Sequence, residues 1–174
     1  NVLSGKTESK KSLETYVQGY YLDLILEAGS KRLLQMSNDR YRFERRIEKA
    51  KGGGLQGLDI EIYDVYLNSN RIVNSLSGGE LFLASLSLAL GLAEVIQNES
   101  GGISLETIFI DEGFGTLSSE ALDLVMTALE TLRKESGCRV GIISHVNSLK
   151  DRIPTQIQLQ RQDATKSCIK IVEN

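Results

Sequence analysis

Residues 105–146 decide the fold: they read "LETIFIDEGFGTLSSEALDLVMTALETLRKESGCRVGIISHV". The apolar run at 107–111 predicts a strand buried on both faces, because it lacks the alternation of a half-exposed strand. Residues 118–136 follow a helical period, and Gly137 fits the C-terminal stop of that helix. A second apolar strand follows at 138–144. This order of strand, helix and strand predicts a parallel sheet with a right-handed crossover.

Polar side chains stand directly after both predicted strands. Asp111 and Glu112 follow the first strand, and His145 follows the second. Ligands bind beyond the carboxyl ends of parallel strands. There Asp111 would hold Mg²⁺ through a water, and Glu112 would activate the water that attacks a γ-phosphate. A solvated acidic turn and a structural histidine at a strand end are the alternative interpretations.

The sequence "SLSGGE" at 75–80 begins a long apolar helix that is predicted to end near Gln97. Ser77 and Glu80 have the spacing of a capping box. That box leaves the two glycines between them unexplained, since each glycine in a helix costs about 0.8–1.0 kcal/mol relative to alanine. Glycine suits a position where a ligand or another backbone approaches closely, and helix starts bind anions. The pattern therefore predicts a phosphate at this helix start.

Two alternating patterns and one helical pattern surround these motifs. Residues 12–36 have a helical period. The alternating stretches 40–48 and 58–67 predict an antiparallel hairpin, and 156–162 with 167–173 predict another. In the first helix, the face predicted to be shared is formed by Leu13, Tyr16, Val17, Tyr20, Leu24 and Ala28.

Composition excludes several classes of protein. The chain has 174 residues and a net charge of −3, which excludes a chain that is basic throughout and binds nucleic acid by charge alone. Arginines are concentrated at 40–46, but glutamates alternate with them, so a solvated strand face is the default and DNA contact the alternative. Cys138 and Cys168 fit no metal site and indicate a reduced cytosolic protein. The apolar runs fall short of a membrane span.

The sequence "SGKT" at 4–7 resembles the end of a phosphate-binding P-loop. That loop needs an earlier glycine and a preceding strand, and neither is present. The stretch is therefore expected to be the end of a longer upstream element. Because residue 1 is asparagine, we expect a fragment or a processed chain.

Three motifs occur in one order: "LSGGE", "IFIDEGFGTL" and "ISHV". Together they resemble the C-terminal part of the SbcC family, SMC-like ABC-type ATPases of DNA double-strand-break repair. The resemblance implies an α/β fold, the C-terminal lobe of an ABC-type ATPase head, in which helices flank a parallel sheet with additional antiparallel strands. Residues 1–37 would be the coiled-coil re-entry and first helix, and 38–174 the ATPase lobe, within one compact domain.

The resemblance also implies roles for individual residues. The signature motif, which contacts ATP held by an opposite head, is matched by Ser77, Gly78, Gly79 and Glu80. Asp111 matches the Mg²⁺-linked Walker B aspartate, Glu112 the catalytic glutamate and His145 the switch histidine. The D-loop is matched by Gly115, Thr116, Leu117, Ser118 and Ser119. Ser118 stands where the family commonly has aspartate, which puts in question how tightly this loop couples the two sites.

The implied activity is ATP hydrolysis with ATP and Mg²⁺ by a head that dimerises on ATP and gates a nuclease processing double-stranded DNA ends. The implied partners are an N-terminal lobe carrying Walker A, a second head, an SbcD-like metallophosphatase nuclease and double-stranded DNA. The protein would be cytoplasmic, would associate with the nucleoid when on DNA and would bind no membrane. Without Walker A, the isolated chain is expected to be inactive. The alternative is an SMC-type chromosome-organising head, or another coiled-coil repair ATPase, without a nuclease.

Overall fold

The computed structural model describes residues 13–46, 57–99, 105–163 and 165–173. The helices in these ranges are α1 (Leu13–Met36), α2 (Gly78–Glu99) and α3 (Ser119–Ser136). The strands are β1 (Tyr41–Arg46), β2 (Asp59–Asp64), β3 (Ser69–Ile72), β4 (Thr107–Asp111), β5 (Arg139–Ile143), β6 (Thr155–Arg161) and β7 (Ser167–Glu173). Short 3₁₀ turns occupy Val73–Ser75, Phe114–Thr116 and Asn147–Leu149. The "SGKT" stretch lies outside the described residues.

The described strands pair as the sequence predicts, with one addition. β4 and β5 are parallel, and Ile110 lies beside Ile142. β1 with β2, and β6 with β7, form antiparallel pairs. The addition is β3, which pairs antiparallel with the other side of β2. Its sequence, "SNRI", contains a single apolar residue, so no alternation marks it as a strand.

Helices α1 and α2 pack with their backbones in contact. A Cβ atom added to Gly91 would lie 2.5 Å from the backbone nitrogen of Gly29, which no side chain permits. β1 is attached to α1 through the Ser30 hydroxyl, which accepts a hydrogen bond from the Phe43 N–H at 2.9 Å. The most deeply buried apolar side chains of the core are those of Leu33, Met36, Ile62, Phe114 and Val125.

One expectation about burial is wrong. β4 is covered on one face only: Ile110 lies in the core, whereas Phe109 is 72% exposed and Ile143 in β5 is exposed as well. The N-terminal half of the predicted α1 face is also exposed, including Tyr16 and Tyr20. The physical reason is the same in both places, because no described element packs against these apolar surfaces.

The expectation that the apolar runs fall short of a membrane span is wrong for helix α2, which among the described helices is the one long and apolar enough to span a membrane by length and composition. It packs along α1 and against the 3₁₀ turn Phe114–Thr116. Leu83, Leu86 and Leu90 are buried there. One side of the helix is therefore buried, whereas Leu81, Leu92 and Ile96 are exposed.

Candidate functional site

The carboxyl end of β4 carries two exposed carboxylates on a strained backbone. Asp111 is the last residue of the strand, and Glu112 follows with φ = 58°, in the left-handed region. A non-glycine residue there costs on the order of 1–3 kcal/mol and is held by its surroundings. One such restraint is the Glu112 N–H, which donates to the carbonyl oxygen of Ile143 at 2.9 Å. The backbone therefore fixes where the Glu112 carboxylate stands.

Glu112 and His145 meet across the ends of the two parallel strands. The Nδ1 atom of His145 lies 3.1 Å from Oε1 and 3.0 Å from Oε2 of Glu112. An ionised carboxylate only accepts hydrogen bonds, so Nδ1 carries the hydrogen and Nε2 remains available for a ligand. The histidine side chain is 82% exposed, which leaves it open to a ligand. The structure thus brings together two of the residues that the sequence selected.

The start of α2 forms the predicted capping box. The Ser77 N–H donates to Oε2 of Glu80 at 2.8 Å, and the Glu80 N–H donates to the Ser77 hydroxyl at 3.3 Å. Within the described residues, the N–H groups of Gly78 and Gly79 have no acceptor. Ser77 and Gly78 are exposed. A helix start with free, exposed N–H groups is suited to binding an anion such as a phosphate.

The two glycines of this motif have different surroundings. A Cβ atom on Gly79 would lie 2.9 Å from the carbonyl oxygen of Thr116, closer than a real contact allows. A Cβ atom on Gly78 would be 3.7 Å from its nearest neighbour, the Thr116 methyl group, which is an ordinary contact. Gly79 is thus explained by a backbone of the same chain, which the sequence analysis did not anticipate. The contacts of Gly78 with this chain do not require glycine, so the approach of a ligand stays a prediction for that position.

The loop between β4 and α3 is packed against the start of α2. The ring of Phe82 occupies the space where Gly113, at φ = 95°, would carry a Cβ atom. Phe82 also meets Phe114 edge to face, with ring centroids 5.1 Å apart. The Thr116 hydroxyl donates to the Gly113 carbonyl oxygen at 2.8 Å. The loop that was assigned as a D-loop is therefore held to the SGGE segment inside one chain.

Ser118 has a structural task in this loop. It is the N-cap of α3, and its hydroxyl accepts the Ala121 N–H at 3.2 Å. Serine and aspartate are comparable N-caps. The departure from the family's aspartate therefore preserves the cap and removes one negative charge.

Glu80 has two further partners that the sequence analysis missed. Its Oε1 atom accepts the Tyr41 hydroxyl at 2.5 Å, and Arg71 approaches Oε2 at 3.6 Å. Although burial favours its neutral form, the hydrogen bonds from Tyr41 and Ser77 lower the pKa of the Glu80 carboxyl. Burial, and then the bond to Glu80, raise the pKa of Tyr41 to about 12. The alternation of β1 could have shown that Tyr41 points into the fold. No sequence pattern indicated the position of Arg71, because β3 was not predicted.

The arginine-rich strand is neutralised by carboxylates. Each of its four described arginines has an acidic partner: Arg40–Asp64 at 3.0 Å, Arg42–Glu44 at 2.8 Å, Arg45–Asp23 at 2.7 Å and Arg46–Glu61 at 3.4 Å. A surface that contacts DNA phosphates needs free cations. The solvated, ion-paired face is therefore the better interpretation.

The described residues contain no group of three or more side chains that could hold a metal ion. Magnesium usually takes one or two protein carboxylates and completes its shell with waters and substrate phosphates. The exposed oxygen atoms of Asp111 and Glu112 fit that mode of binding.

Solved structures with the same fold are SMC-type ATPase heads. One chain, from work on ATP-driven dimerization and DNA-stimulated activation of SMC ATPases, matches with a TM-score of 0.66 at 18% identity, covering 92% of this chain and 89% of that one. The Smc head domain of Pyrococcus furiosus, bound to the C-terminal domain of ScpA, matches with a TM-score of 0.66 at 16% identity, covering 92% and 37%. The predicted α/β head-lobe fold is confirmed.

Sequence comparison assigns the chain to one family within this class of ATPase heads. The family model described as SbcC/RAD50-like, Walker B motif, matches residues 59–131. The SbcC protein of nuclease SbcCD from Staphylococcus haemolyticus is 54% identical over 160 residues, 91% of this chain. Its counterpart in Staphylococcus aureus strain JH9 is 50% identical over 170 residues, 95% of this chain. The chain belongs to the SbcC/RAD50-like family, and it spans 15–16% of the length of these curated relatives.

Proposed function

We propose that this chain is the C-terminal lobe of an ATP-hydrolysing head that dimerises on ATP and gates a partner nuclease acting on double-stranded DNA ends. The observation that carries the proposal is Glu112, strained at φ = 58° and 3.0 Å from His145 at the end of β4. Perturbed geometry of this kind is concentrated at active sites. The relatives are named as part of nuclease SbcCD, which supports the nuclease partner.

The residues divide the work as follows. The free N–H groups of Gly78 and Gly79 bind the γ-phosphate of a nucleotide carried by the opposite head, and the exposed Ser77 hydroxyl lies beside them. Glu112 accepts the proton of the attacking water, and His145 orients Glu112 through Nδ1 while Nε2 faces the phosphate. Asp111 would hold Mg²⁺, and the ion would supply neutralisation of phosphate charge. The D-loop, Gly115–Ser119, transmits the position of the signature segment to the carboxylates.

Exposed apolar faces on this chain are the surfaces against which a further lobe, carrying Walker A, would pack. Phe109 and Ile143 form one such surface on the β4–β5 sheet. Another lies on the second hairpin, where Ile157, Leu159, Ile169 and Ile171 are 67–75% exposed. Uncovered apolar surface of this kind marks an interaction site. The occupant that fits the resemblance is the N-terminal lobe of the same head.

The test uses the full-length protein with Glu112→Gln. Loss of a general base typically costs about 10²–10⁴-fold in rate. We expect ATP hydrolysis to fall by that range while ATP-driven dimerisation is retained, since glutamine keeps the shape of the side chain. Glu130→Gln, an exposed carboxylate farther along α3, is the matched control and should hydrolyse ATP normally. Unchanged turnover in Glu112→Gln would defeat the assignment.

The fragment and its partners give a second set of outcomes. The 174-residue chain alone should show negligible hydrolysis, because it supplies only one side of the nucleotide site. The full-length protein should co-purify from the cytoplasm with a metallophosphatase-type nuclease.

The fold's likeness to Smc heads favours a second candidate, a chromosome-organising head without a nuclease. Absence of a nuclease from the purified complex would favour that candidate.

A further inference from the structure

A polar network joins the SGGE segment to the sheet β1–β2–β3. Glu80 stands at its centre and uses both carboxylate oxygens. Oε2 accepts the Ser77 N–H at 2.8 Å, and Oε1 accepts the Tyr41 hydroxyl at 2.5 Å. One carboxylate therefore connects the first residue of the signature motif to β1. Since the hydroxyl must donate for this contact to exist, the contact also fixes the direction of the carboxylate.

Arg71 of β3 holds the same segment at two points. Its Nη2 atom donates to the carbonyl oxygen of Ser75 at 2.7 Å and lies 3.6 Å from Oε2 of Glu80. Its Nη1 atom donates to the Tyr41 hydroxyl at 3.2 Å. The contacts to Ser75 and Glu80 lie at the two ends of "SLSGGE". A planar guanidinium has five donors in fixed directions that suit such a set of contacts, whereas an ammonium is a compact point charge with three donors.

The negative charge of Glu80 lies at the helix start where the phosphate is proposed to bind. A carboxylate in the first helical turn is favourable for the helix but repels an incoming phosphate at the same N-terminus. Arg71 lies close enough to balance that charge, and it is about one-fifth exposed. Tyr41 keeps Oε1 directed toward β1. The N–H groups of Gly78 and Gly79 thus remain free for an anion.

We propose that Tyr41 and Arg71 are positioning residues for the signature motif, acting through Glu80 to hold the free N–H groups of Gly78 and Gly79 in the arrangement that accepts a γ-phosphate. The inference rests on the proposed function of that motif. It assigns the β1–β3 sheet a part in ATP-driven dimerisation, although neither residue touches the nucleotide. Loss of either contact weakens the dependence of dimerisation on ATP and leaves the chemical step unchanged.

The experiment measures head dimerisation of the full-length protein as ATP is added, in a Glu112→Gln background that stops hydrolysis. Tyr41→Phe keeps the ring and removes the hydroxyl. We expect the ATP concentration for half-maximal dimerisation to rise about threefold to tenfold, the equivalent of one hydrogen bond. Tyr63→Phe is the matched control, because Tyr63 lies in the same sheet and its exposed hydroxyl bonds Asn68 in the turn between β2 and β3. This control should titrate like the parent protein.

Two more variants separate positioning from folding. Arg71→Lys keeps the positive charge but loses the planar guanidinium. It should raise the ATP concentration for half-maximal dimerisation, as Tyr41→Phe does. Combining Tyr41→Phe with Glu80→Gln should be no worse than Glu80→Gln alone, because both act through one carboxylate. A purely structural role would lower the melting temperature without nucleotide and leave the ATP midpoint of the folded protein unchanged. That result, or additive effects in the double variant, would overturn the inference.

A signature variant shows which proposal fails. Ser77→Arg places a bulky side chain at the helix start and should abolish ATP-driven dimerisation. If it dimerises normally, the proposed function of the motif is wrong. If Ser77→Arg fails to dimerise while Tyr41→Phe titrates like Tyr63→Phe, the function stands and only the positioning role is refuted.

Discussion

At the scale of single residues, the sequence singled out the candidate site residues, and the structure shows how they lie relative to one another. Asp111, Glu112 and His145 were selected because polar residues follow two apolar strands. Their position after parallel strands implies proximity. The left-handed backbone of Glu112 could not be anticipated, because glutamate has no preference for positive φ. It follows from the hydrogen bond to Ile143 and the packing of Phe82 on Gly113.

The two signature glycines give a residue-scale prediction. Gly79→Ala should destabilise the chain by about 1–3 kcal/mol, because its methyl group would press on the Thr116 carbonyl oxygen. Gly78→Ala should leave stability unchanged or raise it by up to about 1 kcal/mol, since alanine favours the helix and the position has room. Urea denaturation measures both. Equal destabilisation by the two variants would contradict the difference in packing.

At the scale of secondary-structure elements, the connection from β2 to β3 depends on a buried carboxylate. Asp64 is fully buried and accepts hydrogen bonds from Arg40 at 3.0 Å, the Tyr66 N–H at 3.0 Å and the Leu67 N–H at 3.2 Å. Although burial opposes its charge, the bonds from Arg40 and Leu67 lower the pKa of Asp64. This residue fixes the turn from which β3 returns to place Arg71.

The lowered pKa of Asp64 predicts a pH dependence. The folded chain binds this proton more weakly than the unfolded chain, so the stabilisation is complete above about pH 4 and is lost as pH falls through the lower folded pKa. Asp64→Asn should lower the free energy of unfolding at pH 7 by about 1–3 kcal/mol. Urea denaturation from about pH 7 to about pH 3 should show the difference from wild type narrowing below about pH 4.

The control for this series is Asp151→Asn, an exposed carboxylate near the turn Asn147–Leu149. Surface substitutions of this kind usually change stability by less than about 0.5 kcal/mol. A difference between wild type and Asp64→Asn that stays constant across the pH series would mean that the Asp64 charge does not stabilise the fold.

At the scale of the whole molecule, the apolar surface of β4 and β5 predicts how the lobe assembles. Phe109 lies over Gly141 of the neighbouring strand and remains 72% exposed. Burying such a ring is worth about 1.5–3 kcal/mol, which corresponds to roughly tenfold to a hundredfold in affinity. We expect Phe109→Ser to weaken association with a co-expressed N-terminal lobe by this factor and to leave the melting temperature of the isolated chain within a few degrees.

The matched control for Phe109→Ser is Leu67→Ser, which removes a similarly exposed apolar side chain from the turn between β2 and β3. Binding of the lobes can be followed by titration calorimetry. Equal binding by the two variants would show that the β4–β5 face is not the contact surface. The exposed face of the second hairpin would then be the other candidate surface.

Neighbouring residues encode the apolar strands, the amphipathic helix α3, the capping box of Ser77 and Glu80, and the carboxylates after β4. Short-range periodicity and hydrogen bonds within four residues suffice for these. The contact of Gly79 with Thr116, the hold of Tyr41 and Arg71 on Glu80, and the covering of the sheet faces arise only when the chain is folded. These contacts join segments about 30–40 residues apart, and their geometry follows from how helices and sheets pack, which no local pattern records.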